Sequence, residues 1–437
     1  MNVSLTTLSA LAILLAVAVV DAGGSSLTYI WIPLLSAGVV IGLQISVPSC
    51  RCRISPALLP MSIWLAFLIL YVINPSHQWH ENVGLLPRSS ISFLPSSVHA
   101  ASSFRAWVIL ATACCFFLLS KCVRRADLKW LQWGVLAGAA LVAFSALNDR
   151  LMYRHWPIFE RTGPFVYENH YAAFANLLLP VVLAAGLRFH YRAKQRDQLS
   201  SPAGVTVLVA VLLAASILVS GSRAGVALLG FSIVMMGGLA MRLRKHENPN
   251  ANLMTGTNRW LLIGIGLSMT FLVFLALNRY GYSIRGLSHE FNFRFTILTD
   301  TWRIWRDSMT WGIGPGTLPL VFPYYQSEAL GAVQVAHAHC EPLQWLTEVG
   351  WLGLLISGLL VGSSLHVARK ATPSAKDRWP LFRDIEGPAL AIALMTVGLH
   401  SLIDFPWRMP AIVWVTASWV GLVCSQWERQ HSQERAT

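Results

Sequence analysis

Residues 203–247 read AGVTVLVAVLLAASILVSGSRAGVALLGFSIVMMGGLAMRLRKHE, and this stretch decides the fold. Its two apolar runs, 203 to 220 and 224 to 241, carry no charged side chain. Each has the ~17 to 25 residues that a helix needs to cross a hydrocarbon core. Only Gly221-Ser222-Arg223 separates them, so the chain must cross, turn abruptly and cross back. Arg242, Arg244 and Lys245 close the return run. Working outward with the same criterion gives twelve runs, at approximately 4 to 20, 28 to 47, 57 to 74, 103 to 120, 129 to 147, 171 to 187, 203 to 220, 224 to 241, 260 to 278, 344 to 365, 387 to 403 and 410 to 425. Charged or turn-forming residues bound each of them, as in Ser49-Cys50-Arg51-Cys52-Arg53 and Lys121-Cys122-Val123-Arg124-Arg125. The expected architecture is an all-α polytopic membrane protein of about twelve transmembrane helices. Composition agrees: 55% of the 437 residues are hydrophobic and 12% charged, which excludes a soluble chain of any domain count.

The first run also has the length of a signal-peptide core, with Val20-Asp21-Ala22 as a small-residue cleavage site, although no basic residue precedes it. Either reading leaves Asp21 outside. If the spans alternate, both termini share one face with the even connections. That face holds 21 of the 33 Lys and Arg against 8 acidic residues, and the other face holds 12 of each. The whole net charge of +13 therefore lies on the first face, which the positive-inside bias makes cytosolic. Membrane orientation accounts for the charge, and no nucleic-acid partner is needed to explain it. No charged residue occupies the middle of a span, which counts against an ion-coupled carrier, and no internal repeat marks inverted halves. Of seven cysteines only Cys340 lies outside, where a lone thiol has no partner for an internal disulfide.

The longer outer segments are 75 to 102, 148 to 170 and 279 to 343. In the last, Phe291, Phe295, Leu298, Trp302, Trp305 and Met309 recur at helical spacing, with Arg294, Asp300, Arg303 and Asp307 elsewhere on the surface. This predicts an amphipathic helix on the membrane interface or capping the bundle, and the same spacing equally fits a plain packing helix. All twelve outer basic residues are Arg. Arg holds phosphate oxygens bidentately, so the pattern suits a phosphate-bearing ligand, while pairing with carboxylates accounts for most individual arginines.

Three outer constellations carry chemistry. Gly221-Ser222-Arg223-Ala224-Gly225 is a tight turn that presents Arg223, either to a ligand or to its own carbonyls. His337-Ala338-His339-Cys340-Glu341 precedes the tenth span. His-x-His beside Cys and Glu raises zinc, but no third and fourth ligand follow at a recognisable spacing, and no metal or cofactor is expected. A histidine titrates near ambient pH and suits a general base, or it caps the following helix. Thr162-Gly163-Pro164-Phe165-Val166-Tyr167-Glu168-Asn169-His170 is a turn entering the sixth span.

Together these segments resemble the O-antigen ligase and polymerase superfamily of bacterial inner-membrane glycosyltransferases. The resemblance rests on Gly163-Pro164-Phe165 with Asn169-His170; on Ser222-Arg223-Ala224-Gly225; and on Arg294 ahead of Trp302, Trp305, Arg306 and Asp307. It continues through Gly312-Ile313-Gly314-Pro315-Gly316, Ala338-His339-Cys340-Glu341-Pro342-Leu343-Gln344, Glu348-Val349-Gly350 and His400-Ser401-Leu402-Ile403-Asp404-Phe405-Pro406. It implies N-terminal spans over 1–160, a catalytic region over 161–410 that includes the 279–343 loop, and a last span with a cytosolic tail over 411–437. It also implies glycan transfer from a polyprenyl-diphosphate carrier to an acceptor hydroxyl on the outer face of the cytoplasmic membrane. His339 would be the base and Arg223 with Arg294 the diphosphate ligands, supported by Ser222, Asn169, His170, His337 and Glu348. Direct displacement would invert the anomeric centre without a metal or a covalent intermediate. Members usually carry Asn after the functional His, whereas Cys340 follows His339 here. The acceptor, whether glycan, lipid or protein, has no signature in the sequence. Two other readings fit the same chain: an exporter of lipid-linked glycans, and an inactive relative acting as an assembly partner. The first would need basic residues along an intramembrane cavity, which the spans lack; Cys340 keeps the second open.

Overall fold

The computed structural model describes residues 58–121, 128–152, 162–198, 201–247, 284–370 and 385–434. Among them the helices are α1 (Leu58–Ile73), α2 (Ala100–Lys121), α3 (Leu128–Met152), α4 (Glu168–Gln195), α5 (Ala203–Ser220), α6 (Arg223–Glu247), α7 (Ile284–Asp307), the single turn α8 (Leu318–Val321), α9 (Glu341–Lys370), α10 (Gly387–His400) and α11 (Pro410–Glu434). Five helices, α2 to α6, are long and apolar enough to cross a membrane. Shorter apolar helices coincide with the runs at 57 to 74, 387 to 403 and 410 to 425. The runs at 4 to 20, 28 to 47 and 260 to 278, with the cleavage site at Val20-Asp21-Ala22, lie outside the described residues.

Helix α4 is the centre. Its small residues Ala172, Ala173, Ala175, Ala184 and Ala185 are all buried and let α3, α5, α6 and α10 approach closely. Polar side chains then fix those neighbours. Asn176 donates to the Gly225 carbonyl on α6 (2.9 Å), and Tyr171 donates to Ser216 on α5. At the far end of α4, Arg188 meets Glu386 (2.6 Å), just before α10. A second group forms where α2 packs on α1 and α11, with Phe116 stacked on Trp414 at 5.5 Å.

The other end of the bundle gathers residues 74–99, 284–343 and 401–409. The all-α expectation needs one addition here, a hairpin of β1 (His77–His80) and β2 (Gly84–Pro87) paired antiparallel. Glu81, Asn82 and Val83 form its loop, and Gly84 takes the left-handed φ of 84° that such a three-residue connection needs. Helix α7 departs from expectation on one residue. Phe291, Phe295 and Trp302 are exposed, as is Met309 just beyond the helix, and Leu298 and Trp305 are half-buried, while Ile297, Thr301 and Ile304 form its packed face. Asp300 is buried with that second face rather than on the surface. The Ser327 N–H and hydroxyl donate to it at 2.9 and 2.6 Å, so its charge is spent holding the following loop.

Helix α9 is not one continuous rod. Gly350 has φ 69° and ψ 179°, and a Cβ there would collide with the Thr310 carbonyl. The groups freed by the break find partners: Tyr71 donates to the Val349 carbonyl (2.8 Å), Trp351 N–H to Met309 (3.0 Å), and Gly314 N–H to the Glu348 carbonyl (2.8 Å). The apolar run at 344 to 365 thus divides into a short segment clasped by residues 309–316 and a longer leg.

Candidate functional site

Arg223 is placed by its turn. Helix α5 stops at Gly221, whose φ of 97° only glycine adopts without strain, and a Cβ there would lie 3.0 Å from the Glu168 carboxylate. Ser222 is buried, and its Oγ accepts the Gly225 N–H (3.0 Å), capping α6. Arg223 therefore projects from the first turn of α6, where the helix dipole also favours anions. Its guanidinium pairs with Glu290 on α7. One turn further along α7, Arg294 pairs with the other oxygen of the same carboxylate (3.3 Å) and donates to the Ile403 carbonyl (2.9 Å).

The next residue, Asp404, is buried beneath the histidines. It accepts from Asn169 Nδ2 and from the Phe405 N–H (2.9 Å), and its Oδ1 lies 3.5 Å from His339 Nδ1. Burial alone would raise its carboxyl pKa. The neighbouring His339, with His170 and His400, outweighs burial and holds it below the ordinary carboxylate range. His339 itself sits at φ 54°, a left-handed backbone rare outside glycine and concentrated at functional sites. Directly after it, the Cys340 carbonyl accepts the Gln344 N–H (2.9 Å) and opens α9. Phe405 is the shared wall: His337 stacks on it at 4.1 Å, His170 and His339 meet it edge-on at 4.7 and 5.1 Å, and Tyr167 stacks at 5.9 Å. Burial, with the charge of Asp404, pushes the Tyr167 phenol up to about 12.

His337 belongs to a second set. The Ala338 N–H donates to Gln344 Oε1 (3.1 Å), so the Gln344 amide nitrogen faces His337 Nδ1 (3.2 Å) and Glu348 Oε1 (3.0 Å). That orientation makes Nδ1 an acceptor and puts the ring proton on Nε2. Burial and the nearby Arg408 charge lower the His337 pKa to about 3, so the ring is neutral at ambient pH. Glu348 also accepts the Gly316 N–H (2.9 Å) and Arg408 Nη1 (2.7 Å), and Arg408 Nε reaches Glu341 at 3.2 Å. Burial, reinforced by Glu348, pushes the Glu341 carboxyl up to about 7. Among the described residues no three His, Cys, Asp or Glu side chains cluster as a metal site.

The predicted residues fall into three roles. His339, His337 and His170 meet around Phe405, and Asn169 joins them through Asp404. Arg223 and Arg294 meet at Glu290, while Ser222 and Glu348 hold backbone and shape. Sequence reasoning did not pick out Glu290 or Arg408, and it quoted Phe405 without a role. It quoted Asp404 without a role, although an acid that follows an apolar run and precedes Phe-Pro invites one.

Residues 208–357 match the family model of the O-antigen ligases. Over that stretch the chain is similar to the O-antigen ligases. The matched stretch includes both arginines, Glu290 and the two histidines ahead of α9. With the apolar helices, it gives this O-antigen ligase-like chain the character of an integral membrane protein with a glycosyltransferase-like role. No curated protein matches the chain.

Proposed function

We propose that this protein transfers a glycan from a polyprenyl-diphosphate carrier to an acceptor hydroxyl at the outer surface of the bacterial cytoplasmic membrane. The observation that carries the reading is the convergence of Arg223 and Arg294 on one carboxylate, with Arg294 also holding the residue before Asp404, the partner of His339. Two guanidiniums that already share an anionic partner are arranged to share a diphosphate in its place. If the spans alternate, the charge bias of the connections supports cytosolic termini with this end of the bundle outside.

In the proposed step Asp404 holds the Nδ1 proton of His339, so Nε2 is the free base. The acceptor oxygen attacks the anomeric carbon while its proton passes to Nε2. The bond from that carbon to the diphosphate oxygen breaks, and its electron pair leaves with the diphosphate. Arg223 and Arg294 neutralise the charge gathering there. Attack opposite the leaving group inverts the centre, and no covalent intermediate or metal is required.

The test is single-turnover transfer in proteoliposomes with the lipid-linked donor on the outer leaflet only. His339→Ala is expected to slow transfer by ~100- to 10,000-fold, the range of general base catalysis, with donor binding retained. Arg223→Lys and Arg294→Lys are expected to weaken donor binding instead. Wild-type transfer by His339→Ala, or normal donor affinity in both Lys variants, would overturn the assignment. Donor moved across the bilayer without transfer would point to an exporter.

A further inference from the structure

Beside His337, a cavity of about 220 Å³ opens between α2, the first turns of α9 and the 407–409 turn. The transfer step described above uses none of it. Its walls are of two kinds. Trp407 supplies indole surface, Trp345 carries the Arg408 guanidinium over its ring at 4.7 Å, and Arg408, Glu348, Gln344 and Arg105 supply polar groups. Most of these polar groups are buried and committed, but one donor is left over: Arg408 Nη2 is buried without a hydrogen-bond partner. A buried donor of this kind calls for an acceptor. Gln344 adds another donor indirectly, because it fixes the His337 proton on Nε2.

The occupant follows from these walls. Its volume lies below the ~300 Å³ where drug-sized pockets begin, which fits a single ring. A phosphate or carboxylate would meet Glu348, and the Arg408 guanidinium is already shared between Glu348 and Glu341. A hydrocarbon chain would leave Arg408 and His337 unanswered. A neutral pyranose satisfies both kinds of wall, with an apolar C–H face for indole and a rim of oxygens for the donors. We propose that this cavity seats one neutral pyranose ring, the terminal sugar of a glycan acceptor. Only one aromatic ring separates the seat from the base, since His337 and His339 both pack on Phe405 at 4.1 and 5.1 Å. The word acceptor rests on the transfer reading; the sugar seat does not.

The experiment uses full-length protein in nanodiscs, probed by saturation-transfer NMR with methyl β-D-glucopyranoside, methyl α-D-mannopyranoside and N-acetylglucosamine. Farnesyl diphosphate reports the arginine site separately. At least one sugar is expected to bind saturably. Ala106→Phe, which fills the cavity from α2, is expected to weaken it about tenfold or more, the usual penalty for overfilling a packed site. Ser102→Phe fills from one turn earlier and serves if the first variant misfolds, and neither should change farnesyl diphosphate binding. No sugar binding, or binding undiminished in both variants, overturns the seat. Sugar binding without farnesyl diphosphate binding keeps the seat and removes the transfer reading. A serine-containing peptide that binds where the sugars do not would name a protein acceptor and overturn the proposal.

Discussion

Arg294 and Arg408 serve the same histidine turn, yet they are held in opposite ways. Arg408 lies between two carboxylates, Glu341 and Glu348, with side chains 10%, 3% and 0% exposed. Arg294 shares one carboxylate with Arg223, and all three side chains are about a third exposed, at 28%, 30% and 39%. The first arrangement excludes water and fixes geometry. The second stays open to solvent and exchangeable. Ion pairs at an active site therefore separate into those that build it and those that wait for a ligand, and burial with stoichiometry tells them apart.

The sharpest way to break this comparison is to remove each guanidinium. Arg408→Ala leaves two buried carboxylates facing each other and is expected to cost about 3 to 5 kcal/mol, whereas Arg294→Ala should cost at most ~1 kcal/mol. Thermal unfolding in detergent reads both, and equal losses would erase the distinction. Asp404→Asn keeps the shape but weakens the hold on His339, and transfer should slow by about 10- to 100-fold, the worth of a hydrogen bond to a charged group. Donor affinity should not change, so a shift in binding alone would move Asp404 out of this role. Glu290→Gln removes the charge that competes with the diphosphate. Donor affinity is expected to rise about two- to fivefold, in line with an exposed ion pair, and a fall would mean that Glu290 orients the arginines instead.

The smallest effect is in pH dependence. The folded protein holds the Glu341 proton to about pH 7, while an unperturbed carboxyl releases it near 4.5. Proton binding is then greater in the folded state across that window, so stability contributed at this site falls as pH rises through it. Glu341→Gln should flatten the slope of unfolding midpoint against pH between those values, and an unchanged slope would assign it to another group.

Much of the membrane architecture was legible because it depends on local composition. Among the described residues, runs without charge become helices, and Gly221-Ser222 becomes the turn between α5 and α6. The three histidines and two arginines were legible as chemistry. Their partners were not, because pairing is decided in three dimensions. Read along the chain, Arg150, Arg303, Arg294 and Arg408 look alike. Folded, Arg150 goes to Glu168 and Thr162, Arg303 to Asp300, Arg408 to two glutamates, and Arg294 to a shared carboxylate beside the histidines. The break in α9 was hidden for the same reason. An apolar run reports length, while the kink needs residues 309–316 to arrive from another part of the chain and take the loosened backbone groups.

Because Gly350 interrupts α9, the two halves of that helix keep separate rotational phase. In an unbroken helix each added residue turns everything beyond it by ~100°. Here Gln344 and Glu348 take their azimuth from the clasp of 309–316, with Tyr71 anchoring the Val349 carbonyl. The leg after Gly350 can therefore gain or lose a residue, and so adjust to a thicker or thinner bilayer, without re-aiming the side chains that set the tautomer of His337.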